Sequence, residues 1–566
     1  MFIFKVISSF LYEKKITLLI YIICTILAFP LEAIIIPQIY SRFFNAISQK
    51  NPNKEVFIKY FLIILFFLII INISLTTTNY IEAKIIPELN EYIMNYIYKY
   101  ILIKYENNYS DLELGKIITR LNAIPSYLKS IISDVFVLIF PRLLTIIVLN
   151  IYFCFINWKL GLVSFILLFT FLFLNFKFFK TCSPLANKRY SMFEDKNEET
   201  QDKLSNLYSI YSNGNIYNEI DNYNISTNLC TDKYKESYTC LSSSMNFSNR
   251  FNIFIFIILN SVTTYFYLKK EISFNNLMAI FITIIYYSPC LVQLSASIPD
   301  FINYWGSLSA IDDFIEDLYK VSIKSNVENF KENKKILDGT IIISNLNFKY
   351  NKNNSDKYIF KDFNLRIKNN EKIAIVGASG NGKSTLIKLI MGYYEVPNNS
   401  IFIDDVDINK YNLSDLRNQI SFVNQNNKLF NTTILKNIQY GNKMTEPEIN
   451  ELIKKLHIEN IFKNLENGLN SEVGINGDNL SGGQRQMVYF LRCIGKKNKI
   501  IILDEPTAAV DKNNTENIVR AIKELCNNTT VIFITHDEGI LHMADRILTL
   551  DAGKIIKDLY QNNSYY

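Results

Sequence analysis

Six apolar stretches crowd the first 300 or so residues of the chain, and no comparable run follows about Trp305. They cover about Ile16–Tyr40, Phe57–Thr76, Val135–Asn157, Leu160–Phe179, Asn252–Leu268 and Leu277–Ala296. A hydrocarbon core ~30 Å thick is crossed by roughly 17–25 residues of helix, so each stretch is a candidate span. The fifth is barely long enough and is weakened by Asn260; the sixth is clear despite Pro289. Met1–Tyr12 is apolar but short and runs into Glu13-Lys14-Lys15, which suits an interfacial helix better than a signal peptide.

The connections alternate in length. Ser41–Val56, Trp158–Lys159 and Lys269–Asn276 are short, whereas Thr77–Asp134 and Lys180–Phe251 are long. Both long segments carry Lys and Arg, including Lys84, Lys99, Lys116, Arg120, Lys188, Arg189 and Lys203. The positive-inside rule places them, with both termini, on the cytoplasmic side. Helical spacing of Tyr92, Tyr96, Lys99 and Ile103 predicts that they are helical extensions of the spans. The whole-chain values, 49% hydrophobic and 20% charged over 566 residues, are therefore a blend of two unlike halves. A net charge of +6, from 59 basic and 53 acidic residues, is too small and too scattered to signal nucleic-acid binding. The eight cysteines show no CxxC pair and read as free thiols; three histidines leave little room for a His-rich metal site.

From Asp338 the pattern changes to alternating strand and helix segments, with β-rich runs at Ile341–Ser344, Lys372–Val376, Ile500–Leu503 and Val531–Ile534. The expected organisation is an all-α six-helix transmembrane domain over residues 1–323, a linker over 324–337 and an α/β P-loop NTPase domain over 338–566.

Gly377-Ala378-Ser379-Gly380-Asn381-Gly382-Lys383-Ser384 fits GxxxxGK[ST], follows a strand and opens a helix that continues through Thr385. Glycines there let backbone N–H groups turn toward phosphate oxygens, and the helix N-terminus adds a positive dipole end. The motif assigns Lys383 to the β/γ-phosphates and Ser384 to Mg²⁺. Ile500–Leu503 ends in Asp504-Glu505. One strand-end acid can hold Mg²⁺ through water while the next polarises the attacking water, the division that phosphoryl transfer asks for.

Leu480-Ser481-Gly482-Gly483-Gln484 lies between these two motifs, and with it the chain resembles the ATP-binding cassette (ABC) transporters. That resemblance implies further roles in order. Tyr350 matches the aromatic that stacks on adenine, Gln425 the glutamine that contacts Mg²⁺ and the membrane domain, Asp511 the D-loop acid, and His536 the histidine near the γ-phosphate. Leu114–Leu121 is similar to a stretch near the first coupling region of exporters, and Ser471–Gly477 to their X-loop. Three places depart from the family pattern: Asp537-Glu538 after the histidine, Ala508-Ala509-Val510 before Asp511, and Ile475-Asn476 in the X-loop.

The resemblance implies an exporter half-transporter with ATP and Mg²⁺ as cofactors. Its nucleotide is bound between two cassettes, so a second half-transporter chain is required, and the complete motif set favours a homodimer. A heterodimeric half-transporter and a lipid or peptide translocase are the alternatives. The transported substrate stays open. Glu32 and Arg142 lie at or near membrane depth, where a charge costs about 2.5–3.5 kcal/mol at a helix centre. They line a translocation cavity or, given Pro30, Pro37 and Pro141, snorkel from irregular helix ends; both readings stand on sequence alone.

Overall fold

The computed structural model describes residues 3–47, 54–106, 114–328, 334–350, 358–424, 428–463, 465–507, 512–526 and 528–561. The chain divides into two compact units, Met1–Tyr105 with Asp111–Ile323, and Glu106–Ser110 with Lys324–Tyr566.

The first unit is helical throughout. A short helix α1 (Ile3–Glu13) turns at Lys14 into α2 (Lys15–Ile47), and α3 (Lys54–Lys104), α4 (Leu114–Ser133), α5 (Phe140–Ile156) and α6 (Trp158–Ser205) follow. After α7 (Leu207–Ser212) come α8 (Ile216–Leu268), α9 (Phe274–Ser309) and α10 (Asp312–Glu328). Among the described residues, six helical segments are long and apolar enough to cross a membrane: Lys15–Phe43, Ile58–Lys104, Leu114–Ile156, Trp158–Ser205, Ile216–Leu268 and Phe274–Ser309. Each contains, to within a residue at its ends, one of the apolar stretches read from sequence. The long connections are helical extensions of the spans as expected: α3 has 51 residues and α8 has 53, about 75–80 Å of helix each at 1.5 Å per residue. The marginal fifth stretch thus sits inside one of the longest helices. Between α4 and α5 the third span passes through a π-helical turn, Asp134–Ile139, and Asn157 alone separates α5 from α6. The Asn157 side chain accepts from the Lys159 and Leu160 N–H groups, capping α6.

With an apolar solvent outside, helices associate through packing and interhelical hydrogen bonds rather than through hydrophobicity. Ser248 donates to Asn175 Oδ1 at 2.8 Å, and Asn252 Nδ2 donates to Ser295 Oγ at 2.7 Å, joining α6, α8 and α9. Beyond the apolar windows, Arg120 donates from Nε and Nη2 to the two oxygens of the buried Glu194, each at 2.9 Å. This fork ties the exporter-like stretch on α4 to α6, a planar bidentate match that a lysine does not reproduce.

One expectation is corrected. Cys182 on α6 and Cys240 on α8 form a disulfide with Cα atoms 5.7 Å apart; the other six cysteines are free. The sequence separation is 58 residues, so no local spacing signalled the pairing; two long antiparallel helices bring the sulfurs together. Denatured without reductant, the protein is expected to label with maleimide at six cysteines and after reduction at all eight. Eight labels without reductant would rule the bond out.

The second unit has two sheets. The larger has strand order β10-β9-β3-β8-β7-β6. Its strands are β3 (Lys372–Val376), β6 (Ile420–Val423), β7 (Ile500–Asp504), β8 (Thr530–Ile534), β9 (Arg546–Asp551) and β10 (Lys554–Tyr560). All neighbours are parallel except β10, which pairs antiparallel with β9. Residues of β7 and β8 are buried without exception, as strands covered on both faces must be. Alternate residues feed two cores: Ile373, Ile375, Ile502 and Ile532 one, Ala374, Leu503, Val531 and Phe533 the other.

A separate antiparallel sheet, of order β2-β1-β4-β5, is built from β1 (Ile341–Phe348), β2 (Phe360–Ile367), β4 (Ile401–Ile403) and β5 (Val406–Asp407). Of its strands, the sequence reading included only the run Ile341–Ser344, within β1. Edge strand β10 is pinned where Arg546 donates to both Asp558 oxygens at 2.7 Å. That guanidinium holds the Asp558 carboxyl below the usual carboxylate range.

Candidate active site

Three adjacent strands, β3, β8 and β7, deliver the motifs to one end of the sheet. Ile375 and Asp504 both pair in register with Ile534. The segment after β3, the acids ending β7 and the histidine after β8 therefore emerge level, on strands about 4.8 Å apart. In open α/β sheets, ligands bind beyond the carboxyl ends of the strands.

The loop after β3 turns through Gly377 at φ 152°, Gly380 at φ 85° and Gly382 at φ 96° into the helix Lys383–Ile390. A Cβ at Gly377 would sit 2.2 Å from the Leu550 carbonyl oxygen, so only glycine fits beside β9. Asn381 donates from Nδ2 to that same carbonyl at 3.1 Å and to Asp551 Oδ1 at 3.0 Å. Within the motif Asn381 is a tether for the loop. Lys383 Nζ lies across the concavity, donating to the carbonyls of Gly377 at 2.5 Å and Ala378 at 3.0 Å.

Ser384 and Asp504 come together, the Ser384 side chain close enough to favour the charged form of the Asp504 carboxyl. Burial first, and then the neighbouring Glu505, push the Asp504 carboxyl above its ordinary range, with Lys383 and Ser384 opposing. A hydroxyl and a carboxylate in this position are hard oxygen donors, the set that suits Mg²⁺. Glu505 has φ 51°, a left-handed conformation that costs a non-glycine residue about 1–2 kcal/mol. It is held by its N–H to the Ile534 carbonyl at 2.8 Å and by its own carbonyl, which accepts from Gln486 Nε2 at 2.8 Å. Strain of this kind persists where the surroundings over-determine it, and it clusters at functional sites.

His536 is exposed just past β8. The departure that follows it has a structural role. Asp537 accepts from the N–H groups of Gly539 and Ile540, capping the short helix Glu538–Leu541. Its other oxygen accepts from Thr507 at 3.2 Å. Asp537 thereby joins the histidine turn to the turn beyond Glu505, a link invisible at the level of motif. Tyr350 reaches the same end, its hydroxyl 2.8 Å from that of Thr385 and its ring edge-on to Phe348 and Tyr394, each at 5.2 Å. Gln425 and Asp511 lie outside the described residues.

Ser481–Gln484 stands apart from this group. Ser481 is exposed and caps the helix Gly482–Gly495. Its hydroxyl accepts from the Gln484 N–H at 3.2 Å, and Gln484 Oε1 accepts from the Ser481 N–H at 2.9 Å. This reciprocal box fixes the N-terminal turn of the helix. Among the described residues no hydrogen bond joins it to the loop after β3. The X-loop is laid along the segment after β6, with paired bridges at Leu429–Asn476 and Thr433–Glu472.

A parallel sheet with a phosphate-type loop after β3, a hydroxyl–carboxylate pair and a strained strand-end glutamate define a P-loop ATPase. Comparison with known proteins extends this to the whole chain. The family model "ABC transporter transmembrane region" matches residues 6–288, and the model "ABC transporter" matches residues 360–508. A Rickettsia typhi protein named for a proposed role as an export ATP-binding/permease protein is 29% identical over 510 residues, covering 87% of this chain and 86% of the relative. An ATP-dependent lipid A-core flippase of Methylobacillus flagellatus is 38% identical over 222 residues, 39% of this chain and 38% of the flippase. In fold, the chain is similar to a bacterial Atm1-family ABC exporter with ATP bound, at TM-score 0.82 and 18% identity, over 97% of this chain and 95% of that one. The chain belongs to the ABC transporters. It is an integral, multi-pass, ATP-driven membrane transporter of the exporter kind, binding ATP and coupling its hydrolysis to transport.

Proposed function

We propose that this chain works as a homodimer whose two ATP sites each combine the β3–β8–β7 end of one cassette with Ser481–Gln484 of the other. The carrying observation is the separation just described. The P-loop, Asp504, Glu505 and Tyr350 converge, while Ser481–Gln484, at the start of the signature helix, makes no hydrogen bond to them among the described residues. A second copy supplies it, and closed two-fold symmetry then yields two equivalent sites. The presence of Glu505 gives each site its own base, which favours the homodimer over a heterodimer with one impaired site.

In this reading Gly377–Thr385 enclose the phosphates, Lys383 neutralises them and Tyr350 faces the adenine. Ser384 and Asp504, with Gln425, hold Mg²⁺, which when bound neutralises charge on the phosphate oxygens. Glu505 takes the proton of the attacking water, His536 stands at the γ-phosphate and Asp511 contributes from the D-loop. ATP favours the closed cassette pair by differential affinity and shifts the membrane helices between inward- and outward-facing states; hydrolysis resets them. The basic helical extensions and both termini are on the cytoplasmic side, and transport runs outward. The flippase similarity supports a lipid as an alternative cargo.

Reconstitution in proteoliposomes tests this. Vanadate-sensitive ATPase and ATP-dependent movement of a candidate solute are expected from a preparation that cross-links as a dimer. Full ATPase from a protein that stays monomeric would overturn the shared-site reading.

A further inference from the structure

Glu32 and Arg142 both lie within candidate spans, on α2 and α5. Arg142 is half-buried, with part of its guanidinium enclosed between helices. Its guanidinium stacks on Phe29 of α2 with Cζ 4.5 Å from the ring centroid. Nε donates to Gln293 Oε1 of α9, and Nη1 is buried with no hydrogen-bond partner. Arg142 thus points between α2 and α9.

Two acidic side chains neighbour it: Glu32, one turn along α2 from Phe29, and Glu82 on α3. Glu82 is already engaged, accepting from the Tyr21 hydroxyl at 2.8 Å. Glu32 is on the same helix as the Phe29 ring that Arg142 covers, three residues on, yet no ion pair joins the two, and Glu32 makes no hydrogen bond among the described residues. Opposite charges are thus carried on neighbouring candidate spans without an ion pair between them, and Arg142 Nη1 is left without a partner.

The charges dictate the ligand. A simple anion would complete Arg142 but meet Glu32 with like charge; a simple cation would do the reverse. A net-neutral ligand carrying both groups satisfies the two at once. Resting on the transporter reading above, we propose that Arg142 and Glu32 form a recognition site for a zwitterionic amphiphile. Its carboxylate or phosphate completes the Arg142 donors, its ammonium completes Glu32, and its apolar body lies against Phe29. Short apolar peptides and zwitterionic lipid headgroups share this chemistry.

The test uses the full chain in phosphatidylglycerol vesicles, with ATPase expressed relative to each preparation's own basal rate. One arm adds the dipeptide Leu-Phe, its N-acetyl form and its C-terminal amide. The other replaces half of the lipid with phosphatidylethanolamine. At least one zwitterion is expected to stimulate. If it is the dipeptide, blocking either terminus should raise its half-saturating concentration about tenfold or more, because a buried group is left unpaired. Glu32→Gln should abolish the discrimination against the acetylated form and Arg142→Gln that against the amide, with Arg142→Lys restoring part of the response. If it is the lipid, Glu32→Gln and Arg142→Gln should each remove the stimulation. Equal stimulation by free and blocked peptides, or a lipid response that survives both substitutions, would overturn the proposal. Intact basal ATPase with no response to either zwitterion defeats this site alone, whereas absence of basal ATPase defeats the transporter reading and this one with it.

Discussion

Glu505→Gln is expected to leave ATP binding intact and to lower ATPase turnover about 10²–10⁴-fold, the usual contribution of a positioned general base. The amide is isosteric, so the Glu505 N–H still reaches the Ile534 carbonyl and its own carbonyl still accepts from Gln486. Lys383, Ser384 and Asp504 are untouched. Only the capacity to take a proton from water is removed. Turnover in proteoliposomes, read beside retention of a fluorescent ATP analogue, separates the two effects. Near-normal turnover would remove Glu505 from the chemistry and leave its φ of 51° without a functional account.

Lys383→Ala acts at the earlier step. The ammonium that donates to Gly377 and Ala378 is placed to make charge-assisted hydrogen bonds to phosphate oxygens. Such bonds contribute about 1.5–3 kcal/mol, so affinity should fall roughly 10- to 100-fold. Equilibrium binding of ATP to the purified variant measures this. Because the side chain also bridges two loop carbonyls, thermal unfolding without nucleotide is the companion measurement. Unchanged affinity in a folded variant would refute the role of Lys383.

The parts of the molecule that a sequence shows best are those in which chemistry is local. The loop Gly377–Ser384 and the strand ending in Asp504-Glu505 are contiguous, and their glycines and acids are needed by the nearest backbone. The six spans are equally plain, because the bilayer imposes a length on each apolar run. What was hidden depends on residues far apart in the chain. The Cys182–Cys240 bond spans 58 residues, and Asn381 tethers to β9 about 170 positions later. Asp537 looked like a departure from a motif until Thr507 and the short helix it caps were placed beside it. The second sheet was missed because only the β1 run was recognised, while its partners are short or separated by loops.

The π-helical turn Asp134–Ile139 sets an azimuth. In an unbroken α-helix the eight positions from Asp134 to Arg142 would advance about 800°, leaving the two side chains roughly 80° apart. One extra residue taken up by the turn removes about 100° of that rotation, bringing both within about 20° of a common face. The third span thereby presents an acid and a base along one line of its surface, a phase that its residue order alone, wound regularly, would have scattered.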